Sequence, residues 1–91
     1  MRSVNISDRI MKLRGMVEGL SLRELSGLAE LYQTHAALIE NGRGVSTETA
    51  VKLARVFGVT TDWLLTGEGK SPRRDDVRAA VKRAREAGKA A

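Results

Sequence analysis

The chain has 91 residues, a formal net charge of +5, one residue each of Trp, Tyr and Phe, and no cysteine. Disulfides, zinc-thiolate sites and thiol catalysis are excluded, and a chain with room for one domain must build a largely aliphatic core. Residues 1–67 carry eight basic and seven acidic side chains, whereas residues 68–91 carry eight basic and four acidic ones. Most of the net positive charge therefore lies in the last 24 residues. No segment has the apolar run of a signal peptide or a membrane span, so we expect a cytoplasmic protein without membrane association.

Helical periodicity dominates, and the first predicted helix begins at Ser7. Ile10 and Leu13 share one face of this helix, and either Met16 or Val17 continues that face toward the core. No segment shows the period-2 alternation of a strand, so the fold class is predicted to be all-α.

The second predicted helix begins at Ser21, in the sequence Ser-Leu-Arg-Glu. This spacing is a capping box, in which the Ser21 hydroxyl accepts from the Glu24 amide while the Glu24 side chain reaches back. Leu25 and Leu28 are expected to face inward.

The third predicted helix lies in QTHAALIENG, residues 33–42, which begins polar, becomes apolar and stops on Asn-Gly. Ala36 and Ile39 are three residues apart and can face the core together. The residues expected to turn elsewhere are Gln33, Thr34, Ala37 and Leu38. Gly42 suits the left-handed position after a helix.

A fourth helix is capped by Ser46 or Thr47 and stops at Gly58, and a short fifth helix is capped by Thr60 or Thr61. Five side chains of the fourth helix should supply much of the core: Ala50, Val51, Leu53, Ala54 and Phe57. Trp63 is expected to close the core as a large lid.

The composition changes after the fifth helix. Residues 68–72 have the Gly, Ser and Pro content of a linker, and residues 73–91 form a basic C-terminal tail with a helical pattern. Its apolar stripe is too thin to fold alone, so we expect partial helicity or order only against a partner. That stripe comprises Val77, Ala80, Val81 and Ala84.

Two short helices joined tightly across residues 21–42 form a helix-turn-helix arrangement, whose second helix enters the DNA major groove by its N-terminal residues. A polar start is what this placement needs, because glutamine can hydrogen-bond to base edges. Gln33 and Thr34 stand at that start.

Five segments in order carry a further likeness: RIMKLR at 9–14, LSLRELS at 20–26, IENG at 39–42, VKLARVFGV at 51–59 and TDWLLTG at 61–67. In these segments the chain resembles the lambda-repressor-like (XRE/Cro) helix-turn-helix family, of the phage-repressor type. The resemblance implies a compact five-helix DNA-binding domain over residues 1–67, with the helix-turn-helix unit at 21–42.

The resemblance also implies residue roles. The base-reading positions are Gln33, Thr34, Ala37 and Leu38. The positions that bind phosphates are Ser21, Leu22, Arg23, Asn41 and Arg43, the first three around a helix N-terminus.

Several positions depart from the family pattern. Leu22 replaces the usual glutamine, and Tyr32 replaces a small N-cap residue. Glu30 stands where a turn glycine is expected. A left-handed Glu there would cost on the order of 1 kcal/mol, so a turn that differs from the family form is an alternative. Leu38 is apolar where family members are commonly polar, which leaves a base contact and an enlarged core as alternatives.

The leading hypothesis is a sequence-specific transcription regulator, a repressor that binds double-stranded DNA as a homodimer on a (pseudo)palindromic operator. Gln33, Ala37 and Leu38 suggest a preference for A·T-containing sites. The alternative is an antitoxin or adaptor whose tail binds a protein partner, with autoregulatory DNA binding. No catalytic set, metal-ligand cluster or nucleotide loop is found, so neither an enzyme nor a cofactor is expected, and His35 is expected to be an exposed helix residue.

Overall fold

The computed structural model describes residues 6–90, and these form an all-α fold of six helices without a strand. The helices are α1 (Ile6–Gly15), α2 (Leu22–Leu28), α3 (His35–Glu40), α4 (Thr47–Phe57), α5 (Thr61–Thr66) and α6 (Arg74–Ala90). The five predicted helices are therefore present, followed by a helical tail. The first five residues of the predicted domain and Ala91 of the predicted tail lie outside the described residues.

The core is built from aliphatic side chains and one phenylalanine, as the composition predicts. The largest fully buried apolar side chains come from all six helices: Ile10, Leu13, Leu25, Ile39, Leu53, Phe57, Leu64, Val77 and Val81. Trp63 is also buried and belongs to the same cluster.

A few core assignments differ from the sequence pattern. Val17, rather than Met16, continues the buried face of α1. Leu28 and Val51 are only partly buried, whereas Val56 is buried without having been predicted. Val56 lines a surface pocket together with Ala84 of α6.

Ser46 and Thr60 are the N-caps of α4 and α5, which decides the two alternatives that the sequence left open. Each side chain accepts a hydrogen bond from the amide three residues later, at 3.1 Å and 3.0 Å. These bonds satisfy amides that the helix itself leaves without partners.

Arg9 is a buried side chain that joins α1 to the end of α5. Its Nε donates to the Leu64 carbonyl at 2.6 Å, and its Nη2 donates to the Leu65 carbonyl at 2.7 Å. A cation at the C-terminal end of a helix is favoured by the helix dipole as well as by the free carbonyls. Arg9 thus holds α5 against α1.

The tail helix α6 lies on the body of the protein. Val77, Ala80 and Val81 are buried, and α6 packs mainly against α4 and also against α2. The thin apolar stripe is therefore covered within the same chain, whereas the sequence suggested partial helicity or order against a partner. Within residues 6–90, no helix combines the length and the apolar character that crossing a membrane requires.

The close approach of α4 and α6 depends on Gly58, the C-cap of α4, which has a φ of 67°. A Cβ at this position would lie 2.8 Å from the Ala80 Cβ. Gly58→Ala should therefore lower the free energy of unfolding by about 2–4 kcal/mol, because backbone strain and overpacking add. Urea denaturation measures this loss.

Gly19→Ala is the matched control, because Gly19 has a φ of 78° and nothing within 4 Å of the added Cβ. It should lose only the conformational part, roughly 1–2 kcal/mol. Equal losses in the two variants would contradict the close packing of α6 on α4.

Candidate nucleic-acid interface

The first turn of α2 is held by the predicted cap. Ser21 has extended backbone angles, and its Oγ accepts a hydrogen bond from the Glu24 amide at 3.0 Å. Ser21 and Arg23 are exposed, whereas Leu22 packs partly against the core. The Glu24 carboxylate accepts two hydrogen bonds from Arg85 of α6, from Nε and Nη2, both at 2.8 Å.

The turn after α2 has the left-handed backbone conformation that favours glycine, although its residue is Glu30. Glu30 has a φ of 58°, and its amide donates to the Gly27 carbonyl at 3.0 Å. The Leu31 amide donates to the Ser26 carbonyl at 2.8 Å. These two bonds form a Schellman motif, which offsets the strain of a left-handed side chain, roughly 1–2 kcal/mol.

The helix α3 begins at His35, two residues later than the pattern suggested. Gln33 and Thr34 lie in the turn before it, where the His35 amide donates to the Tyr32 carbonyl at 2.9 Å. Thr34 is the N-cap but makes no side-chain cap bond. Tyr32, expected at the cap position, is therefore displaced from it.

The cap of α3 comes from α2 instead. The Ala36 amide donates to the Ser26 Oγ at 3.0 Å, and the Ser26 side chain is fully buried. A hydroxyl from the preceding helix thus satisfies an amide that a local N-cap would ordinarily satisfy. The first helical hydrogen bond of α3 then runs from the Leu38 amide to the Thr34 carbonyl, at 3.2 Å.

The end of α3 follows the prediction. Gly42 has a φ of 102°, and its amide donates to the Ile39 carbonyl at 3.0 Å, while the Arg43 amide donates to the Leu38 carbonyl at 3.1 Å. This is a second Schellman motif. The Ser7 hydroxyl of α1 donates to the Ile39 carbonyl at 2.5 Å, so α1 also holds this end.

A salt bridge adds a further link between α1 and α3. Arg14 Nε and Nη2 donate to the two carboxylate oxygens of Glu40 at 2.7 Å and 3.2 Å, and Nη1 donates to the Leu20 carbonyl at 3.1 Å. The hydrogen bonding to Glu40, aided by its charge and opposed by burial, raises the pKa of Arg14 above its ordinary value. Arg14 therefore remains charged, and α1 holds the C-terminal end of α3.

The structure separates the inner and outer faces of α3 as predicted. Ala36 and Ile39 are buried, whereas Gln33 and Thr34 are exposed and Ala37 is partly buried. Leu38 is 40% exposed, so the enlarged-core alternative does not hold for it. Its side chain lies on the outer side of the helix.

Gln33 is joined to the start of α2. The Arg23 Nη2 donates to the Gln33 Oε1 at 2.9 Å across the exposed surface. This bond brings a predicted phosphate-binding residue and a predicted base-reading residue into contact. The remaining predicted positions, Asn41 and Arg43, are exposed beyond the other end of α3, about 9 Å along the helix axis.

The sequence reading overlooked Tyr32 as a surface residue. Its side chain is 74% exposed, directly before Gln33. Its place between two predicted helices could have indicated an exposed aromatic side chain. The family pattern instead assigned Tyr32 to the N-cap position of the third helix. His35 is partly buried rather than exposed, and no cluster of metal-ligating side chains occurs among the described residues.

Comparison with protein-family models matches the chain to the family described as helix-turn-helix, over residues 10–64. The matched segment begins within α1 and ends within α5, so it includes α2, α3 and the turn between them. No curated protein and no solved structure matches the chain.

The buried hydrogen bond of Ser26 can be tested directly. Ser26→Ala should lower the free energy of unfolding by about 1–3 kcal/mol, because the Ala36 amide loses its acceptor inside the protein. The same amide should exchange with solvent by local opening, faster than neighbouring core amides, in hydrogen-exchange NMR.

Ser46→Ala provides the control, since it removes a cap hydroxyl from α4 at a similar cost of about 1 kcal/mol. It should leave the Ala36 amide as protected as other core amides. If Ala36 exchanges alike in both variants, Ser26 does not hold the start of α3.

Proposed function

This chain belongs to the XRE/Cro-type helix-turn-helix family of DNA-binding domains, and on that premise we propose that it is a sequence-specific transcription regulator acting as a repressor. Two copies bind a (pseudo)palindromic operator with their α3 helices one turn of DNA apart. The supporting observation is the outward turn before α3, where Gln33 and Thr34 are exposed while Ala36 and Ile39 anchor the helix inside. Helix α6 packs on α4 and α2, which leaves this turn uncovered.

Gln33 is the principal base-reading residue in this proposal. Its amide oxygen accepts from Arg23, which leaves a second lone pair and both amide hydrogens for a base edge. Adenine offers a matching donor at N6 and acceptor at N7 in the major groove. Ala37 and Leu38 add apolar contacts to thymine methyl groups, so the half-site contains A·T pairs.

Phosphate contacts at both ends of the unit set the position of α3 in the groove. Ser21, Leu22 and Arg23 offer the first amides of α2 and one cation, while Asn41 and Arg43 extend from the turn after α3. Such contacts fix the register of the protein on DNA without carrying sequence information themselves.

The dimer contact is proposed at α5. The resemblance places the two-fold axis of family members near this end of the domain, and Leu65 is 38% exposed there. An exposed leucine on a short helix can pair with its copy across a two-fold axis.

The antitoxin or adaptor alternative receives less support. It needs the tail to present an apolar face to a protein partner, but Val77 and Val81 are buried within the chain's own core. The exposed side of α6 is mainly charged. Domains of this family are typically non-enzymatic, which agrees with a binding function.

Gln33→Ala tests the base-reading role. The variant should lose roughly 1–3 kcal/mol of binding free energy on the preferred site and relax specificity at one base pair. Selection from a random DNA library with the wild-type protein supplies that site, and a panel of single-base variants measures the change. A variant that selects the same consensus with the same stringency at every position would rule out this role.

Arg43→Ala tests the phosphate contact. It should weaken binding to every sequence by a similar factor and reduce the slope of log affinity against log salt by about 1. Arg55→Ala, which removes an exposed charge from α4, is the control and should leave the slope nearly unchanged. A change in base preference in the Arg43 variant would contradict the assignment.

A further inference from the structure

The basic residues of α6 are sorted onto one side of the helix. Val77 and Val81 are buried and define its inner face. Four cations recur at intervals of three or four residues, which places them on one stripe beside that face. These four cations, the basic stripe, are Arg74, Arg78, Lys82 and Arg85.

The basic stripe borders the loop between α1 and α2. Arg78 and Lys82 line a shallow groove together with Val17 and Glu18 of that loop. The same two loop residues line a neighbouring depression that reaches Ser21. The stripe is therefore continuous with the surface around the first turn of α2.

Arg85 strengthens this continuity. Its two hydrogen bonds to Glu24, at 2.8 Å each, connect α6 to the first turn of α2, where the Glu24 amide also binds Ser21. Hydrogen bonding to Glu24, opposed by burial and aided by charge, raises the pKa of Arg85 above its ordinary value. The carboxylate nearest the proposed phosphate contacts is thus neutralised by the stripe.

The basic stripe contains four cations, and the carboxylates of this surface lie at its borders. The loop and α2 contribute Glu18 and Glu24, the latter paired with Arg85, whereas Arg74, Arg78 and Lys82 of α6 are exposed. Asp75 stands three residues before Arg78, and Glu86 stands four residues after Lys82, so these two carboxylates border the stripe. Asp76 and Arg83 lie on the opposite side of the helix. A polyanion that meets the first turn of α2 therefore meets further cations along α6.

We propose that the basic stripe binds backbone phosphates of the DNA that flanks each half-site, an inference that rests on the proposed function. The α6 helix has 17 residues and is about 25 Å long, whereas phosphates recur every 3.4 Å or so along one DNA strand. The stripe can therefore follow the backbone beyond the bases that α3 reads. It adds affinity without adding sequence preference, because phosphates are the same at every base pair.

A charge-matched pair of double variants tests this inference in the full chain. Arg78→Ala with Lys82→Ala removes two cations from the stripe, and Arg73→Ala with Arg83→Ala removes two exposed cations away from it. Both variants should unfold at the wild-type urea concentration. Each is titrated with two duplexes carrying the selected operator, one trimmed to its ends and one with about 15 added base pairs on each side.

On the long duplex, the stripe variant should bind more weakly than the control, and its salt slope should fall by about 2, since each phosphate contact contributes about 0.9. On the trimmed duplex the two variants should bind alike. Equal behaviour of the two variants on the long duplex, or an equal loss by the stripe variant on both duplexes, would overturn the inference.

The Arg43→Ala variant separates this inference from the proposed function. If it weakens binding to both duplexes while the stripe variant weakens neither, operator binding stands and the role of α6 falls. If the wild-type protein shows no base preference in the library selection, the proposed function falls. In that case a selective loss by the stripe variant on long DNA would still identify a phosphate-binding role for α6.

Discussion

The start of α3 depends on one buried serine. The Ser26 hydroxyl accepts the Ala36 amide, while the carbonyl of the same residue accepts the Leu31 amide and ends α2. A helix of six residues is not stable in water by itself, because nucleation costs more than so few hydrogen bonds return. The exposed turn at Gln33 therefore has its direction set by α2, and the geometry proposed for base reading depends on a contact inside the protein.

Helix ends that are fixed by neighbouring residues could be predicted from the sequence. The Ser21 cap and the glycine that ends α3 were predicted because each acts on amides or carbonyls within a few residues. The start of α3 was placed too early, since its cap comes from Ser26, ten residues before the amide it satisfies. Glu30 shows the same limit: packing of the two helices holds the turn in a conformation that its own residue disfavours.

The candidate site was predictable in outline but not in its contacts. Periodicity alone separated Ala36 and Ile39 from Gln33 and Thr34, and the structure confirms that division. The Arg23–Gln33 bond joins two elements, so no local pattern indicates it. The cover for α6 was missed for a related reason: a thin apolar stripe does not show whether the rest of the same chain can bury it.

The glycine at position 58 affects more than the stability of the fold. Because the backbone of Gly58 lies against the Ala80 methyl group, the distance between α4 and α6 is at its lower limit. Arg78 and Lys82 lie on either side of Ala80 in the sequence of α6. The contact between Gly58 and Ala80 therefore helps to set where these two charges are placed. A bulkier residue at position 58 would displace surface cations that it never touches, so the packing of α6 on α4 and the placement of charge on α6 cannot vary independently.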